Sequence, residues 1–260
     1  MSKRSNVGEV DEPIIIEKLV SLKGKYVEPF NDMINSVKSY DGIEYQVGIK
    51  RNQISKAPVW AKRDVLINGK GYSLKSTRAA PPAIVNHTTR EKWLRVCTEI
   101  RVRIDKLDIM VSEYWKLRKG KRIGEDVNAN NPLCPFVNSE ERRLYLKPLI
   151  NYFLFNGTGS KSSQYPADFI LEFDDPTNNA TWKIFDKNSA FDTFWPNMVF
   201  SVRSKKGMPS KYPNIGYEIK CQIEPWVKFI DGDYRGALHI RSKKDKPTQA
   251  SLTNNNRKYF

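Results

Sequence analysis

Residues 61–76 read Ala61-Lys-Arg-Asp-Val-Leu-Ile-Asn-Gly-Lys-Gly-Tyr-Ser-Leu-Lys-Ser76, and this stretch predicts two short strands joined by a tight turn. Asp64 precedes the apolar run 65–67, and Asn68-Gly69 is the strongest short-range signal for a hairpin. Lys75 lies on the alternating return strand, about one strand width from Asp64. A carboxylate that can hold a divalent metal, beside an ammonium that can face a developing phosphate charge, is the minimal equipment for metal-dependent phosphodiester hydrolysis.

The composition predicts a globular chain in a reducing compartment. Its 260 residues are 39% hydrophobic, which is enough for a sizeable core. No apolar run approaches the roughly 18 residues of a membrane span, and residues 1–10 lack the apolar region of a secretory signal. The three cysteines, Cys97, Cys134 and Cys221, are too widely spaced for a disulfide framework or a cysteine zinc site. We therefore expect a cytoplasmic protein with no membrane partner.

The strong positive charge predicts a polyanionic partner. Lys and Arg outnumber Asp and Glu by 44 to 29, a net charge of +15, and aromatic residues make up 12% of the chain. Neutralising phosphates with such side chains releases counterions, which supplies most sequence-independent DNA affinity. Nucleic acid, with double-stranded DNA first, is therefore the expected partner. A soluble protein with a merely basic surface is the plainer alternative.

Helical patterns dominate the first part of the chain. One helix is expected from Asp11 onward, with Pro13 in its first turn, and it carries Glu17. Glu17 is either a solvated charge or a third carboxylate that the helix brings to Asp64. A long helix is predicted from Thr89 to Leu117, because apolar residues recur there at every third or fourth position.

Shorter patterns predict the remaining elements. A further helix begins after Ser139 and is bent or broken near Pro148. Alternating residues predict short strands over 43–47, 169–173, 181–185, 198–202, 216–223 and 236–241. The chain is therefore expected to be mixed α/β (α+β), with a helix-rich part over 1–156 and a strand-rich part over 157–260. The second part is a candidate for DNA recognition, and one continuous domain is the open alternative.

Several other chemistries lack the residues that they need. His87 and His239 are the only histidines, so nucleases that use a histidine base with several histidine ligands are poorly supported. The Gly-x-Ser-x-Gly elbow of serine hydrolases is absent. The loop 156–163 lacks the upstream glycine of a phosphate-binding loop, so nucleotide hydrolysis is rejected.

Asp64 followed by Ser73-Leu-Lys75 on the adjoining strand, after a helix with Glu17, resembles the core of the PD-(D/E)xK nuclease superfamily. The segment Lys70-Gly-Tyr-Ser-Leu-Lys-Ser-Thr77, with the Asn-His-Thr-Thr segment after it, is most similar to type II restriction endonucleases. The likeness covers roughly residues 10–118, and its motif is short. It implies a restriction-endonuclease-like core, with a central mixed sheet flanked by helices, and site-specific cleavage of double-stranded DNA.

The resemblance also implies a catalytic set of Asp64, Ser73, Lys75 and Glu17, with Asp64 and Glu17 holding Mg²⁺. The metal would lower the pKa of a water molecule and stabilise charge in the transition state, while Lys75 orients that water. Ser73 stands where the family usually has Asp or Glu, and Arg63 stands where it has proline. One anionic ligand is thus missing, and Glu17, a backbone carbonyl or water is expected to replace it.

The residues that follow the catalytic strand are expected to contact DNA. Asn and Arg side chains can read base edges, and the other members of this set can reach phosphates. The set comprises Arg78, Asn86, His87, Thr88, Thr89 and Arg90. A homodimer that cuts both strands and a monomer stay open alternatives.

Other interpretations of the same patterns stay open. Asp168 with Glu218 and Lys220 forms a second set of carboxylates and lysine on later predicted strands. Asp64 and Lys75 can also be an ordinary cross-strand ion pair without catalysis. A non-catalytic nucleic-acid-binding protein fits the charge equally well, and a nuclease for branched or single-stranded DNA is a further hypothesis.

Overall fold

Two five-stranded sheets organise the described part of the chain. The computed structural model describes residues 7–78, 83–204, 225–230 and 233–242. Within these ranges the helices are α1 Val7–Ser21, α2 Arg90–Glu99, α3 Asp105–Lys119, α4 Glu140–Asn151 and α5 Ser189–Phe194. The strands are β1 Tyr26–Val27, β2 Asp32–Met33, β3 Val37–Ser39, β4 Val65–Ile67, β5 Lys70–Ser76, β6 Ala83–Thr89, β7 Val127–Asn128, β8 Phe169–Phe173, β9 Lys183–Asp186, β10 Met198–Ser204, β11 Lys228–Ile230 and β12 Asp233–Ser242. The protein is therefore mixed α/β, as the sequence predicts.

The predicted hairpin is confirmed and lies in the first sheet, whose strand order is β3-β4-β5-β8-β9. Val65 pairs with Tyr72 across the hairpin. Asn68 and Gly69 both have positive φ, +50° and +78°, which is the backbone of a tight turn that suits the twist of paired strands. The Asn68 side-chain oxygen accepts the Asn35 N–H at 2.8 Å, so the turn is also tied to the loop before β3.

Helix α1 packs against this first sheet. Ile15, Ile16 and Leu19 are buried with Val65 and Leu74 in one apolar cluster. The helix begins at Val7 rather than near Asp11, so Pro13 lies inside it and not in its first turn. The early start adds a turn of helix, and that turn carries Glu9 to the sheet.

The second sheet has the order β11-β12-β10-β7, and β6 pairs with β12 on the other side. Its apolar face packs with α2, α3 and α4 around Trp93, Tyr114, Leu149, Phe200 and Leu238, all of which are fully buried. Every pairing between strands of this sheet is antiparallel. The largest part of the core therefore lies here, in a cluster separate from the one that contains α1.

The long helix predicted over 89–117 is wrong in one respect, because it is two helices, α2 and α3. The break falls at Arg101, whose φ is +58°. The Val102 N–H donates to the Cys97 carbonyl oxygen at 2.9 Å, and this hydrogen bond ends α2. Ile100, Val102 and Ile104 are β-branched and disfavour a continuous helix between the two segments.

Both sheets cross the predicted boundary at residue 156. Strand β5 pairs in parallel with β8, and β6 pairs with β12. A division into parts 1–156 and 157–260 would therefore separate neighbouring strands in each sheet. The pairing favours the alternative of one continuous domain.

Other predicted elements differ in detail. Ser139 caps α4 by accepting the Arg142 N–H at 3.3 Å, as expected, but α4 continues past Pro148 into a π-helical turn, Tyr152–Asn156. Residues 43–47 form no strand beyond a single bridge between Glu44 and Lys38 of β3, where the Ser39 N–H donates to the Ile43 carbonyl oxygen and the Tyr45 N–H donates to the Val37 carbonyl oxygen. The strand predicted over 216–223 lies outside the described residues. No helix in the described ranges combines the length and apolar character that spanning a membrane requires.

Candidate active site

A cavity of about 540 Å³ lies where α1, the hairpin and the loop before the hairpin meet. Strand β8, the π-helical turn at Phe153 and Leu154, the end of α5 and the ends of β6 and β12 also line it. Charged side chains of both signs line it: Glu9, Glu12, Asp64 and Glu172 are acidic, and Lys56, Lys62 and Lys75 are basic. Ser73 lines it as well, so the structure brings Asp64, Ser73 and Lys75 together as the sequence predicts.

The Asp64 carboxylate is held in place by the neighbouring strand. Its Oδ2 accepts the backbone N–H of Leu74 at 2.7 Å and the hydroxyl of Ser73 at 3.4 Å. Ser73 is 3% exposed, so this hydroxyl is shielded from water. Burial raises the pKa of Asp64, while the positive charge of Lys75 opposes that rise. The carboxylate is thus oriented but poorly hydrated, which favours a cation as its partner.

Lys75 has no hydrogen-bond or ion-pair partner in the described part of the chain. No hydrogen bond or ion pair joins its ammonium to another described residue, Asp64 included. The simple cross-strand ion pair is therefore not what the structure contains. An ammonium that lines a cavity without a partner is available to a bound phosphate or water.

The helix brings Glu12 to the cavity, and Glu17 does not line it. The Glu17 Oε2 lies 2.7 Å from the Arg51 Nε, in an ion pair that is partly open to solvent. Five residues of α-helix rotate a side chain by about 140°, so Glu12 and Glu17 point in different directions. Glu12 precedes Ile15 and Ile16 by three and four positions, and this spacing from buried residues is the sequence signal that indicates Glu12.

Two titratable groups beside Asp64 have pKa values displaced toward neutrality. Burial and the charge of Asp64 together raise the pKa of Glu12 to about 7, with Lys56 and Lys75 acting in the opposite direction. Burial also lowers the pKa of Lys62 to about 8, with Lys75 acting in the same direction and Asp64 against it. The Lys62 ammonium donates to the Phe153 carbonyl oxygen at 2.6 Å. A carboxylate whose pKa is raised by burial and by a neighbouring carboxylate is stabilised in its ionised form when a cation binds between the two.

The donor set suits an oxygen-loving divalent ion with few protein ligands. The described residues contain no group of three or more His, Cys, Asp or Glu side chains placed to hold a metal. Asp64 and Glu12 offer two carboxylates from different elements to the same cavity. Mg²⁺ is commonly held by one or two carboxylates together with waters and substrate phosphates, so the pair fits that ion.

Five of the six residues predicted to contact DNA, all except Arg78, lie on strand β6 and at its junction with α2. Asn86 is exposed, but Thr88 is 3% exposed and buried against the second sheet. The Arg90 guanidinium is held by both oxygens of Asp108, at 2.8 and 2.7 Å. The segment is a paired strand rather than an open loop, and pairing with β12 turns alternate side chains inward.

The remaining members of that set have protein contacts of their own. The His87 Nδ1 lies 3.0 Å from the Ser204 carbonyl oxygen, and its ring is 4.7 Å from the ring of His239. Thr89 is the N-cap residue of α2, although its side chain makes no cap hydrogen bond. The structure therefore does not gather these residues around the Asp64 cavity.

Arg78 forms an ion pair with Asp11 of α1, whose carboxylate is almost fully buried. The Ser76 hydroxyl donates to the same carboxylate at 2.6 Å.

We expect Arg78→Ala to lower the free energy of unfolding by about 1–3 kcal/mol, because the Asp11 charge would stay buried with one partner fewer. Urea denaturation measures this, with Arg103→Ala as the control because Arg103 is 86% exposed in its ion pair with Asp105. Equal unfolding midpoints for the two variants would contradict the structural role.

The alternative set at Asp168 is only partly described. Asp168 does not line the cavity, and its Oδ2 accepts the Gly71 N–H at 2.8 Å, which closes the ends of β5 and β8. Glu218 and Lys220 lie outside the described residues. Asp168 thus has a structural role that does not require a metal.

Comparison with known proteins adds no support for any function. No protein-family model matches the chain, and no curated protein matches it. The chemical interpretation therefore depends on the Asp64 cavity and on the residues that line it.

Proposed function

We propose that the protein is a Mg²⁺-dependent endonuclease that hydrolyses DNA at the Asp64 cavity. One observation carries the proposal: a helix and a hairpin bring Glu12, Asp64 and Lys75 to the same cavity, and the Lys75 ammonium has no ion-pair partner among the described residues. Two carboxylates and an ammonium that line one cavity suit metal-dependent phosphodiester hydrolysis. The proposed class is the type II restriction endonuclease of the PD-(D/E)xK superfamily, which cuts double-stranded DNA at a specific site.

The fold is compatible with this class. Lys75 lies on β5, and Asp64 directly precedes β4, the neighbouring strand of the same mixed sheet. Helix α1 packs against that sheet. The resembling family usually has a carboxylate at the position of Ser73. In the proposal, Glu12 supplies that carboxylate by reaching the same cavity from α1. Ser73 keeps a supporting role, because its hydroxyl helps to orient Asp64.

In the proposed mechanism each side chain has one task. Asp64 and Glu12 hold Mg²⁺, and the ion supplies Lewis acidity toward the scissile phosphate when it is bound. Lys75 holds the attacking water near the phosphorus atom and offsets the negative charge that builds on the phosphate oxygens. Lys62, fixed by the Phe153 carbonyl, adds a second positive charge to the cavity wall. The net charge of +15 draws the DNA backbone to the protein.

A digest of DNA of known sequence tests the proposal. We expect discrete fragments with Mg²⁺ and none with EDTA, and the fragment ends would identify the cut sequence. DNA binding without cleavage in Mg²⁺, Mn²⁺ and Ca²⁺ would instead favour a non-catalytic nucleic-acid-binding protein. A smear rather than bands would remove the site-specific class while keeping the nuclease.

Cleavage should depend on pH because Glu12 has a raised pKa. Below its value of about 7 the carboxyl carries a proton and is a poor metal ligand, whereas above it the ionised form binds metal. At Mg²⁺ concentrations below saturation, we expect the rate to fall about tenfold per pH unit below about pH 7. Raising the Mg²⁺ concentration should move the midpoint to lower pH, because metal and proton compete. Rate profiles at two Mg²⁺ concentrations measure this, and a midpoint that does not move would contradict the assignment.

A further inference from the structure

A stack of aromatic rings and cations lies beside the wall of the Asp64 cavity. The Trp60 and Tyr165 rings are stacked, with centroids 5.4 Å apart and planes inclined by 26°. Tyr40 packs its edge on Tyr165 at 5.2 Å. The Lys161 ammonium lies 4.6 Å from the centre of the Trp60 ring, and the Arg63 guanidinium lies 5.2 Å from that of Tyr165. These five residues are called the Trp60 stack below.

The backbone holds the Trp60 stack in place. The N–H groups of Lys62 and Arg63 both donate to the Tyr165 carbonyl oxygen, at 3.0 and 3.1 Å. The Arg63 Nε donates to the Tyr40 carbonyl oxygen at 2.7 Å. The rings are therefore positioned before any ligand binds, which reduces the entropy lost on binding.

The loop that carries Lys161 is fixed as well. The Arg95 guanidinium donates to the carbonyl oxygens of Thr158 and Gly159, at 2.7 and 3.0 Å. Gly159 packs closely on β6, since a Cβ atom there would lie 2.8 Å from the Thr88 Cγ2. The glycine-rich loop thus has a packing role, and it presents Lys161 to the surface.

The cations of the stack are not neutralised by carboxylates. Neither Arg63 nor Lys161 forms an ion pair with another described residue, and Lys161 is exposed. Lys56, by contrast, lies 3.3 Å from Glu9 on the other side of the same loop. Positive charge without an ion-pair partner, beside partly exposed aromatic rings, is the combination that binds the phosphates and bases of single-stranded nucleic acid.

The stack adjoins the proposed active site. Val59, Ala61 and Lys62 line the cavity, and Trp60 lies among them on the same loop. Asp64 follows Trp60 by four positions, so their Cα atoms are at most about 15 Å apart. This distance corresponds to about four nucleotides or fewer along a stacked strand.

We infer that the Trp60 stack binds one unpaired nucleotide of the DNA substrate, with its base on the Trp60 ring in place of the Lys161 ammonium. Inside a duplex both faces of a base are covered by neighbours, so only an unpaired or extruded nucleotide can offer a face to the ring. Lys161 and Arg63 then contact the adjoining phosphates. The inference rests on the proposed function, because it names the form of DNA that the Asp64 cavity receives.

Binding in EDTA tests the inference separately from cleavage. The probes are a labelled thymidine oligonucleotide of about 15 nucleotides and a labelled duplex of the same length, titrated with the full chain by fluorescence anisotropy. We expect Trp60→Ala to weaken single-strand binding by about 5- to 150-fold, the effect of losing one base–aromatic stack, and Trp60→Phe to weaken it far less. Tyr26→Ala is the matched control, since Tyr26 is 62% exposed on β1 and does not line the cavity.

Each outcome has a definite meaning. A loss confined to the single strand in Trp60→Ala supports the inference, and thermal melting of Trp60→Phe and Trp60→Ala shows whether the fold is kept. Equal losses for single strand and duplex, or a loss no larger than that of Tyr26→Ala, would overturn it. EDTA prevents metal-dependent hydrolysis, so the binding assay reports on the Trp60 stack alone. If the stack binds the single strand but the protein cuts no DNA when metal is present, only the proposed function is refuted. Cleavage without any Trp60 effect would refute only the stack.

Discussion

Asp64→Ala and Lys75→Gln are each expected to lower metal-dependent DNA cleavage by at least about 1000-fold. Asp64 is proposed as a metal ligand that the hairpin orients, and Lys75 is proposed as the ammonium that faces the scissile phosphate. Asp64→Ala should bind DNA in EDTA at least as well as the unaltered protein, because it removes a negative charge from the cavity. The loss should therefore appear in the rate of cleavage and not in binding.

Plasmid cleavage and anisotropy measure the two effects separately. Lys70→Ala is the matched control for Lys75, because Lys70 lies on the same strand, β5, but is exposed and does not line the cavity. We expect Lys70→Ala to cut normally. If both cavity variants cut DNA like the unaltered protein, the chemistry would belong to Asp168, Glu218 and Lys220 instead.

The second large effect is expected at Glu12. Glu12→Gln keeps the size of the side chain but removes its charge, and it should lower cleavage by about 100-fold or more if Glu12 holds the metal. Glu17→Gln is the matched control on the same helix, and it should cut normally because Glu17 pairs with Arg51 outside the cavity. Equal activity of the two variants would remove Glu12 from the site.

A compensating change makes the Glu12 prediction more specific. Ser73 faces Asp64 across the hairpin and occupies the position where the resembling family usually has an acidic residue. Ser73→Asp in the Glu12→Gln protein should therefore restore part of the cleavage, by about tenfold. Ser73→Asp alone should not raise it to the same degree, because Glu12 already supplies that charge. Loss of stability from a buried carboxylate is checked by thermal melting.

The hairpin was predictable because its signals are local. Asn68-Gly69 adopts the two positive φ values that the turn requires, and the apolar run before it fixes which residues face α1. The cap of α4 at Ser139 was predictable for the same reason, since it depends on four consecutive residues. Both features are settled within a few positions of the chain.

The carboxylate on α1 shows where local patterns stop being sufficient. A helix carrying an acid to the site was expected, but the choice between Glu12 and Glu17 depends on which face of the helix meets β5. Ile15 and Ile16 indicate that face, so the spacing of buried residues could have identified Glu12. Long-range strand pairing is harder still to predict from the sequence. Nothing within β6 indicates that its neighbour is β12, which lies about 150 residues later along the chain. That pairing is what engages Thr88 and His87 inside the protein.

The parallel pairing of β5 with β8 has a consequence for when the protein can act. The cavity is lined by Asp64 and Lys75 and also by Ile170 on β8, so its lining comes from segments made far apart in time during synthesis. A nascent chain that ends before β8 has the hairpin but lacks the parallel partner of β5 and the part of the lining that β8 supplies. For the proposed nuclease, cleavage activity should therefore arise late in translation, and incomplete chains should not cut the DNA of the cell that makes them.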